Sequence, residues 1–347
     1  MTRMFTDESS QWQVELSRGR TAVLLARMVD SRRSWRVSLF AQMIKPNRLV
    51  LFPLACICGA ISLLTGGARA ESPAKKKIVF VAGSPSHGPG QHEHRAGCML
   101  LAEQLNKSGL PVEAVVTING WPQNNSIFDG AAAVVIYADG GDGHPAMKHL
   151  DELKTMASSG VGIGCIHYGV EIPKGEPGNA FLEVIGGYFE SNWSVNPHWD
   201  ASFKLPKHAV TQGVRDFTIN DEWYYHMRFR EGMEGVTPIL TDLPPASTLS
   251  RPDGAHSGNP EVRAAVLERK EPQHMMWVYQ RPAKLGPGRG FGFTGGHNHK
   301  GWQQDDQRRV VLNSIVWIAS LDVPATGVPS KTPTDEEMAA NLDKKGK

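Results

Sequence analysis

Three short runs, Lys77–Ala82 (KIVFVA), Ala131–Tyr137 (AAAVVIY) and Val161–Ile166 (VGIGCI), are apolar after the opening Lys77, with no polar alternation. A strand solvated on one face alternates; a strand covered on both faces does not. These runs therefore demand a sheet buried between two layers. The segments between them read as the cover. Glu93–Ser108 places Cys98, Leu101 and Leu105 on one helical stripe and meets a stop at Gly109, and Pro145–Ser158 reads as a second helix. Val112–Thr117 adds another strand. Strands alternating with helices predict an α/β domain with a mostly parallel sheet.

The second half is less regular. Trp199–Leu205, Glu222–Met227, Ala264–Glu268, Met275–Tyr279 and Gly290–Thr294 read as short strands, before a final helix over Asp306–Ala319. Gly286–Gly292 (GPGRGFG) precedes a strand rather than a helix. It lacks the context of a phosphate loop and reads as a hairpin turn. The tail, 323–347, is Pro/Thr-rich and then charged, the composition of a disordered or loosely attached extension.

Met43–Ala70 has the parts of a secretory signal: basic Lys45 and Arg48, an apolar run over Leu49–Leu64, and Ala68-Arg69-Ala70 as a small-x-small cleavage site. A membrane anchor is the competing reading, but the run is short for a span and contains Pro53 and Gly59. The expectation is a periplasmic or extracellular protein with no stable membrane insertion after cleavage. Residues 1–42, rich in Arg and Ser, are expected to be an extension of the gene model, with Met43 the true start, or disordered. Past the signal only Cys98 and Cys165 remain, too few for a disulfide framework. The formal net charge of +2, with Lys and Arg scattered, gives no nucleic-acid-binding surface.

The chemistry is in the histidines. His87 follows the first strand, His144 the third, His167 the fourth, and His297 and His299 the strand Gly290–Thr294. In an open parallel sheet the loops at the carboxyl ends of the strands share one edge, so these remote residues can converge on one crevice. The segment Gly160–Gly169 (GVGIGCIHYG) is the sharpest case. A strand-to-helix elbow needs small residues two positions before and after the turn residue. Cys165 at the turn would have Ile163 and His167 as flanks, both too large; His167 would have Cys165 and Gly169. The reading is that His167 occupies the turn while Cys165 is buried and unreactive. Asp221 and Glu222 lie among Trp223, Tyr224 and Tyr225, a setting suited to a sugar: aromatic faces pack on C–H surfaces and a carboxylate accepts from hydroxyls or acts as base. Histidines with one glutamate also make a ligand set for zinc or a similar divalent metal, although no HExxH spacing is present.

The motifs KIVFVAGSPSH, GIGCIHYG, GGYFESNW, HAVTQGVRDFTINDEWY and GRGFGFTGGHNHKGW, in this order and followed by SIVWIAS, resemble the ThuA-like (trehalose utilisation-like) family from about Lys77 to Asp322. The resemblance implies a class I glutamine amidotransferase-like fold, a flavodoxin-like sandwich with an irregular β-rich second half. It implies a histidine where amidotransferases carry their cysteine, here His167, with His87, the Asp221-Glu222 pair and His297 at other recurrent polar positions. It also implies sugar metabolism, including trehalose and oxidised (3-keto) glycosides. Extra histidines, His92 and His94, and a GHNH segment leave open which histidine acts in each cluster. The expected site is His167, Glu222 and His87 for catalysis, Trp223, Tyr224, His144 and Trp302 for binding a small carbohydrate, and His87, His167 and His297 for a divalent metal. The expected function is that of a glycoside- or keto-sugar-processing enzyme; the alternative is a non-catalytic carbohydrate-binding protein on the same fold. Neither reading gives the oligomeric state.

Overall fold

The computed structural model describes residues 74–345 and four strand segments nearer the N-terminus. Those segments, β1 (Phe5–Asp7), β2 (Ser10–Leu16), β3 (Leu24–Asp30) and β4 (Arg33–Leu39), pair antiparallel in chain order. They belong to a unit separate from residues 70–347. In β2 the sequence has a period-2 pattern, Trp12, Val14 and Leu16 alternating with Gln11, Gln13 and Glu15. The signal-like segment 43–70 lies outside the described residues.

The domain begins with β5 (Lys76–Ala82), α1 (His94–Lys107), β6 (Val112–Thr117), β7 (Ala131–Tyr137), α2 (Leu150–Ser158) and β8 (Gly162–Ile166). Next come α3 (Glu176–Val184), β9 (Gly187–Tyr188), β10 (His198–Phe203), β11 (Phe217–Glu222), β12 (Arg228–Phe229) and β13 (Val236–Asp242). The chain finishes through α4 (Pro260–Arg263), β14 (Gln273–Gln280), β15 (Arg289–Phe293), α5 (Asp305–Ile318) and α6 (Asp335–Ala339). One seven-stranded sheet has the order β13-β14-β15-β8-β7-β5-β6. From β15 to β6 the neighbours are parallel, and β14 and β13 extend the sheet antiparallel. Taken in chain sequence, the five parallel strands have the flavodoxin-like order 2-1-3-4-5.

The unbroken apolar runs are buried as their composition requires. Every residue from Ile78 to Ala82 and from Ala133 to Tyr137 is fully covered. One layer, with Cys98, Leu101 and Leu105 of α1 and Val311, Leu312 and Ile315 of α5, packs on one face; a second, with Leu153, Ala157, Phe181 and Val184 of α2 and α3, packs on the other. The sheet admits close backbone approach through glycine. A Cβ on Gly164 would stand 2.1 Å from the Phe291 ring, and one on Gly292 2.1 Å from Trp277.

Several boundaries differ from the sequence reading. Ala264–Glu268 is helical, a π turn continuing α4, because Asn259 caps the helix by accepting from the Val262 amide and Pro260 opens it. The strand expected from Glu222 ends there: β11 runs Phe217–Glu222 against β10, and His226 has a φ of 60°. β13 is tolerant of Pro238 because it is the sheet's antiparallel edge. The residues after Asp322, expected as a loose extension, pack on the domain: Val323, Val328 and Met338 are buried. α6 starts with a capping box between Thr334 and Glu337.

Candidate metal centre at the carboxyl edge of the sheet

The loops after β5, β7, β8 and β15 emerge on one edge of the sheet, flanking the point where the strand order reverses. They bring His92, Asp139, His167 and His297 together. His167 occupies the elbow with φ 55°, in the left-handed region that the turn demands. Cys165 is two residues back in β8, fully buried, its thiol pKa pushed up by burial. The other flank is Gly169, where a Cβ would stand 3.2 Å from the Ile136 carbonyl oxygen.

Four donor groups face one another. His92 Nε2 is 3.0 Å from His167 Nε2 and 3.0 Å from His297 Nδ1. His297 Nδ1 is 3.3 Å from His167 Nε2 and 3.0 Å from Glu222 Oε2, which lies 3.6 Å from His167 Nε2. Tyr224 adds a hydroxyl 3.2 Å from His167 Nε2 and 3.3 Å from Glu222 Oε2. The three rings are almost wholly buried.

The far sides of the rings determine their tautomers. His92 Nδ1 donates to Asp139 Oδ1 at 2.7 Å, and His167 Nδ1 donates to the Thr294 carbonyl at 2.8 Å. With each Nδ1 carrying the proton, each neutral ring turns an Nε2 lone pair inward. Burial pushes both pKa values down, that of His167 well below the usual range, helped by the neighbouring His92 and His297. Burial would raise the Glu222 pKa, but its hydrogen bond with His297 and the neighbouring imidazoles of His297, His198 and His92 together outweigh this and lower it. Burial likewise opposes ionisation of Asp139, and hydrogen bonds to His92 and Ser86 hold its pKa at about 2.

The loop carrying His297 is set by Asp221. This buried carboxylate accepts from the amides of Gly296 at 2.7 Å, Glu222 at 2.9 Å and Asn298 at 3.3 Å. Asp221 thus supports the cluster from behind, while Glu222, at the end of β11, enters it.

The remaining expected residues divide clearly. His87 stacks on His92 with ring centroids 3.5 Å apart, but its side chain is 40 % exposed and it stands at the rim, with His92 in the position expected for it. Its Nδ1 lies 4.0 Å from Asp139. His144 is buried beneath the elbow, donating from Nε2 to the Gly169 carbonyl and accepting from the Ala146 amide at Nδ1. Trp223 and Trp302 are fully buried core residues packed around Phe293, so neither offers a face to a ligand. Tyr224 alone of the expected binding residues reaches the cluster. Asp139 and His198 had not been singled out. Asp139 lies in the His/Gly/Asp loop after the third strand, and His198 is brought beside Glu222 by strand pairing in β10–β11, with Nε2 3.9 Å from Glu222 Oε1.

The GGYFESNW segment has a supporting role. Glu190 accepts from Arg228 Nε and Nη2 at 3.0 and 2.9 Å, from Tyr188 at 2.8 Å and from Lys174 at 3.1 Å. Burial alone would raise its pKa; these donors outweigh burial and hold it at about 2. A carboxylate depressed from 4.5 to about 2 contributes stability above pH 4.5 that is lost as pH falls toward 2. Glu190→Gln is therefore expected to cost about 2–3 kcal/mol at pH 7. In urea titrations the gap from the parent chain should close between pH 4.5 and 2; a gap independent of pH would refute the assignment.

A flavodoxin-like sheet with a histidine at its elbow and a His/Glu cluster at its carboxyl edge defines an α/β protein whose candidate site lies where the strand order reverses. The chain belongs to the ThuA (trehalose utilisation) family, whose model matches residues 79–318. Among solved structures it is similar to a ThuA-like protein from Bacteroides uniformis, at 15 % identity and a TM-score of 0.48 over 74 % of this chain and 97 % of that one. It is also similar to a ThuA-like protein from Parabacteroides merdae, at 14 % identity and a TM-score of 0.47 over 74 % and 98 %. A search of curated proteins returned no match.

Proposed function

We propose that this chain is an exported sugar-processing enzyme whose reaction centre is a divalent metal held by His92, His167, His297 and Glu222. The observation that carries the reading is the convergence of lone pairs. His92 Nε2 and His167 Nε2 face each other at 3.0 Å with both Nδ1 protons committed elsewhere. One proton between them would satisfy that pair alone; a cation satisfies all four donors at once. Nitrogen ligands bound tetrahedrally at about 2.0–2.1 Å stand about 3.4 Å apart. Five of the six nitrogen and oxygen separations, at 3.0–3.6 Å, bracket that value, and all four donor atoms lie within 4.8 Å of one another. The Asp139–His92 pair and the His167–carbonyl bond are the outer contacts that orient metal-binding imidazoles.

A bound divalent ion supplies Lewis acidity toward a carbonyl or hydroxyl oxygen of a sugar. The chain's own residues supply the proton handling. Glu222 keeps Oε1 on the open side of the cluster, accepting from Asn196 Nδ2 at 3.2 Å. From there it can take a proton from a substrate hydroxyl and pass it to half-exposed His198. The Tyr224 hydroxyl, buried between His167 and Glu222, orients that carboxylate. A 3-keto glycoside or related oxidised sugar suits this arrangement, since its carbonyl gives a Lewis acid a target and its adjacent C–H a base a task. The signal-like segment Met43–Ala70 supports export.

The test is zinc titration of metal-stripped full-length protein by calorimetry, with elemental analysis of protein purified without chelator. One equivalent per chain, lost in His92→Gln, is the expected result. Absence of stoichiometric uptake of zinc, manganese, cobalt or nickel would overturn the metal centre.

A further inference from the structure

Beside the cluster lies a cavity of about 330 Å³ lined by Asn196, His198, Glu222, Ser247, Ser250 and Arg251 among others. Ligand pockets start at about 300 Å³, so this one has room for a single sugar ring. Glu222 is its inner wall. Arg251 also lines it and forms no ion pair among the described residues. Its Nη2 donates to Asn196 Oδ1 and to the His256 carbonyl, both at 2.9 Å. Among the described residues Nε and Nη1 have no hydrogen-bond partner. Asn196 completes a connection across the cavity, accepting from Arg251 and donating to Glu222 Oε1 at 3.2 Å. Among the described residues neither the Ser247 nor the Ser250 hydroxyl has a hydrogen-bond partner, whereas Thr248 is engaged by Tyr225 and the Pro245 carbonyl.

We infer that this cavity binds an acidic monosaccharide unit, with its carboxylate on Arg251 and its reacting end at Glu222. The inference rests on the reading of the neighbouring cluster as the reaction centre, and adds the substrate class. A guanidinium held by one nitrogen and open along its remaining edge is preorganised for a carboxylate, which it matches with two parallel N–H···O bonds. Arg251, Ser247 and Ser250 are exposed, so the guanidinium is hydrated in the free protein; a carboxylate replaces that water with paired charge-assisted bonds, which a neutral sugar cannot do. The orientation follows from the same charges. Glu222 repels a carboxylate, so the anionic end goes to Arg251 and the hydroxyl or carbonyl end to the cluster. The uncommitted serine hydroxyls and the Asn196 amide serve the ring hydroxyls between.

The experiment compares methyl β-glucuronoside with methyl β-glucoside, binding to zinc-loaded full-length protein by ligand-observed NMR, with zinc content measured on the same samples. The glucuronoside is expected to bind at least about 10-fold more tightly, its advantage shrinking as salt rises. Arg251→Met should bring the two ligands to parity with zinc stoichiometry unchanged, and Arg251→Lys should restore part of the preference. Equal binding of the two, binding of neither, or a preference that survives Arg251→Met overturns the inference while leaving a zinc-replete reaction centre standing. Protein that takes up no zinc overturns the reaction centre and, with it, the substrate class.

Discussion

Replacing His167 with alanine or asparagine should weaken zinc binding by more than about 100-fold, beyond the 10–100-fold typical of losing an outer contact. Turnover should go with it. His167 is the residue whose position owes least to chance. It has φ 55°, no exposed surface, an Nδ1–carbonyl bond of 2.8 Å to Thr294, and inward contacts to two histidines and a glutamate. The two replacements separate chemistry from folding. Asparagine tolerates left-handed backbone, whereas alanine there costs about 1–2 kcal/mol. His167→Asn is therefore expected to be the more stable by about 1 kcal/mol while losing metal just as fully. His87→Ala is the control within the same histidine-rich loop. Its ring stacks on His92 from a position 40 % exposed, so a change of less than about 10-fold is expected. Zinc affinity within threefold of the parent in both His167 variants, measured by chelator competition, would remove His167 from the centre.

The contrast between His167 and His87 shows what could be read before any coordinates. An elbow is a local steric problem: the sizes of Cys165 and Gly169 decide which residue turns, and those sizes are written in the chain. Strand ends are nearly as local, because each unbroken apolar run stops where polar residues begin. The gathering of His-bearing loops on one sheet edge therefore followed from the sequence. Which histidine of a loop points inward did not. His87 and His92 both have positive φ, at 57° and 45°, in a loop without any repeating pattern, and only the position of Asp139 after β7 distinguishes them. Trp223, Tyr224 and Tyr225 beside the acidic pair suggested a sugar platform, yet Trp223 is buried against Phe293, as is Trp302, the other tryptophan expected to bind. An aromatic side chain has the same signature whether its face meets a ligand or a core. Glu222 reaches the cluster because β11 ends there, a boundary that alternation in FTINDE supports only once β10 is known to be its partner. The tail misled through composition. Its few apolar anchors, Val323, Val328 and Met338, are too far apart to form a periodic pattern, and what they pack against lies far away in sequence.

Deleting residues 335–347 should weaken zinc binding by about 10–100-fold, the range for loss of an outer contact, although no described residue of that segment touches the cluster. The tail returns to the loop that carries His92. Lys345, with 4 % of its side chain exposed, pairs with Glu93 Oε1 at 3.3 Å and donates to the carbonyls of Gly88 and Gln91. The Asp343 amide donates to Glu93 Oε2 at 2.9 Å, and the Gly90 amide to Glu93 Oε1 at 2.9 Å. The Met338 carbonyl accepts from His299 Nε2 at 3.1 Å, tying the tail to the loop of His297 as well. Each contact is one residue or a few from a proposed ligand. Within the loop whose Gly88, Gln91 and Glu93 are held this way, His87 and His92 adopt backbone conformations that cost free energy and persist only where surrounding contacts impose them. Without Lys345, Glu93 becomes a carboxylate that is 1 % exposed and has lost its cationic partner. Breaking a fully buried pair costs about 3–5 kcal/mol; a terminal strap can peel away and admit water, so a smaller loss of stability is expected here. Lys345→Met should reproduce most of the affinity loss, and Glu93→Gln should relieve it in part by removing the stranded charge. If the truncated chain binds zinc within threefold of the parent, the loop holds His92 unaided and the tail is only a cover.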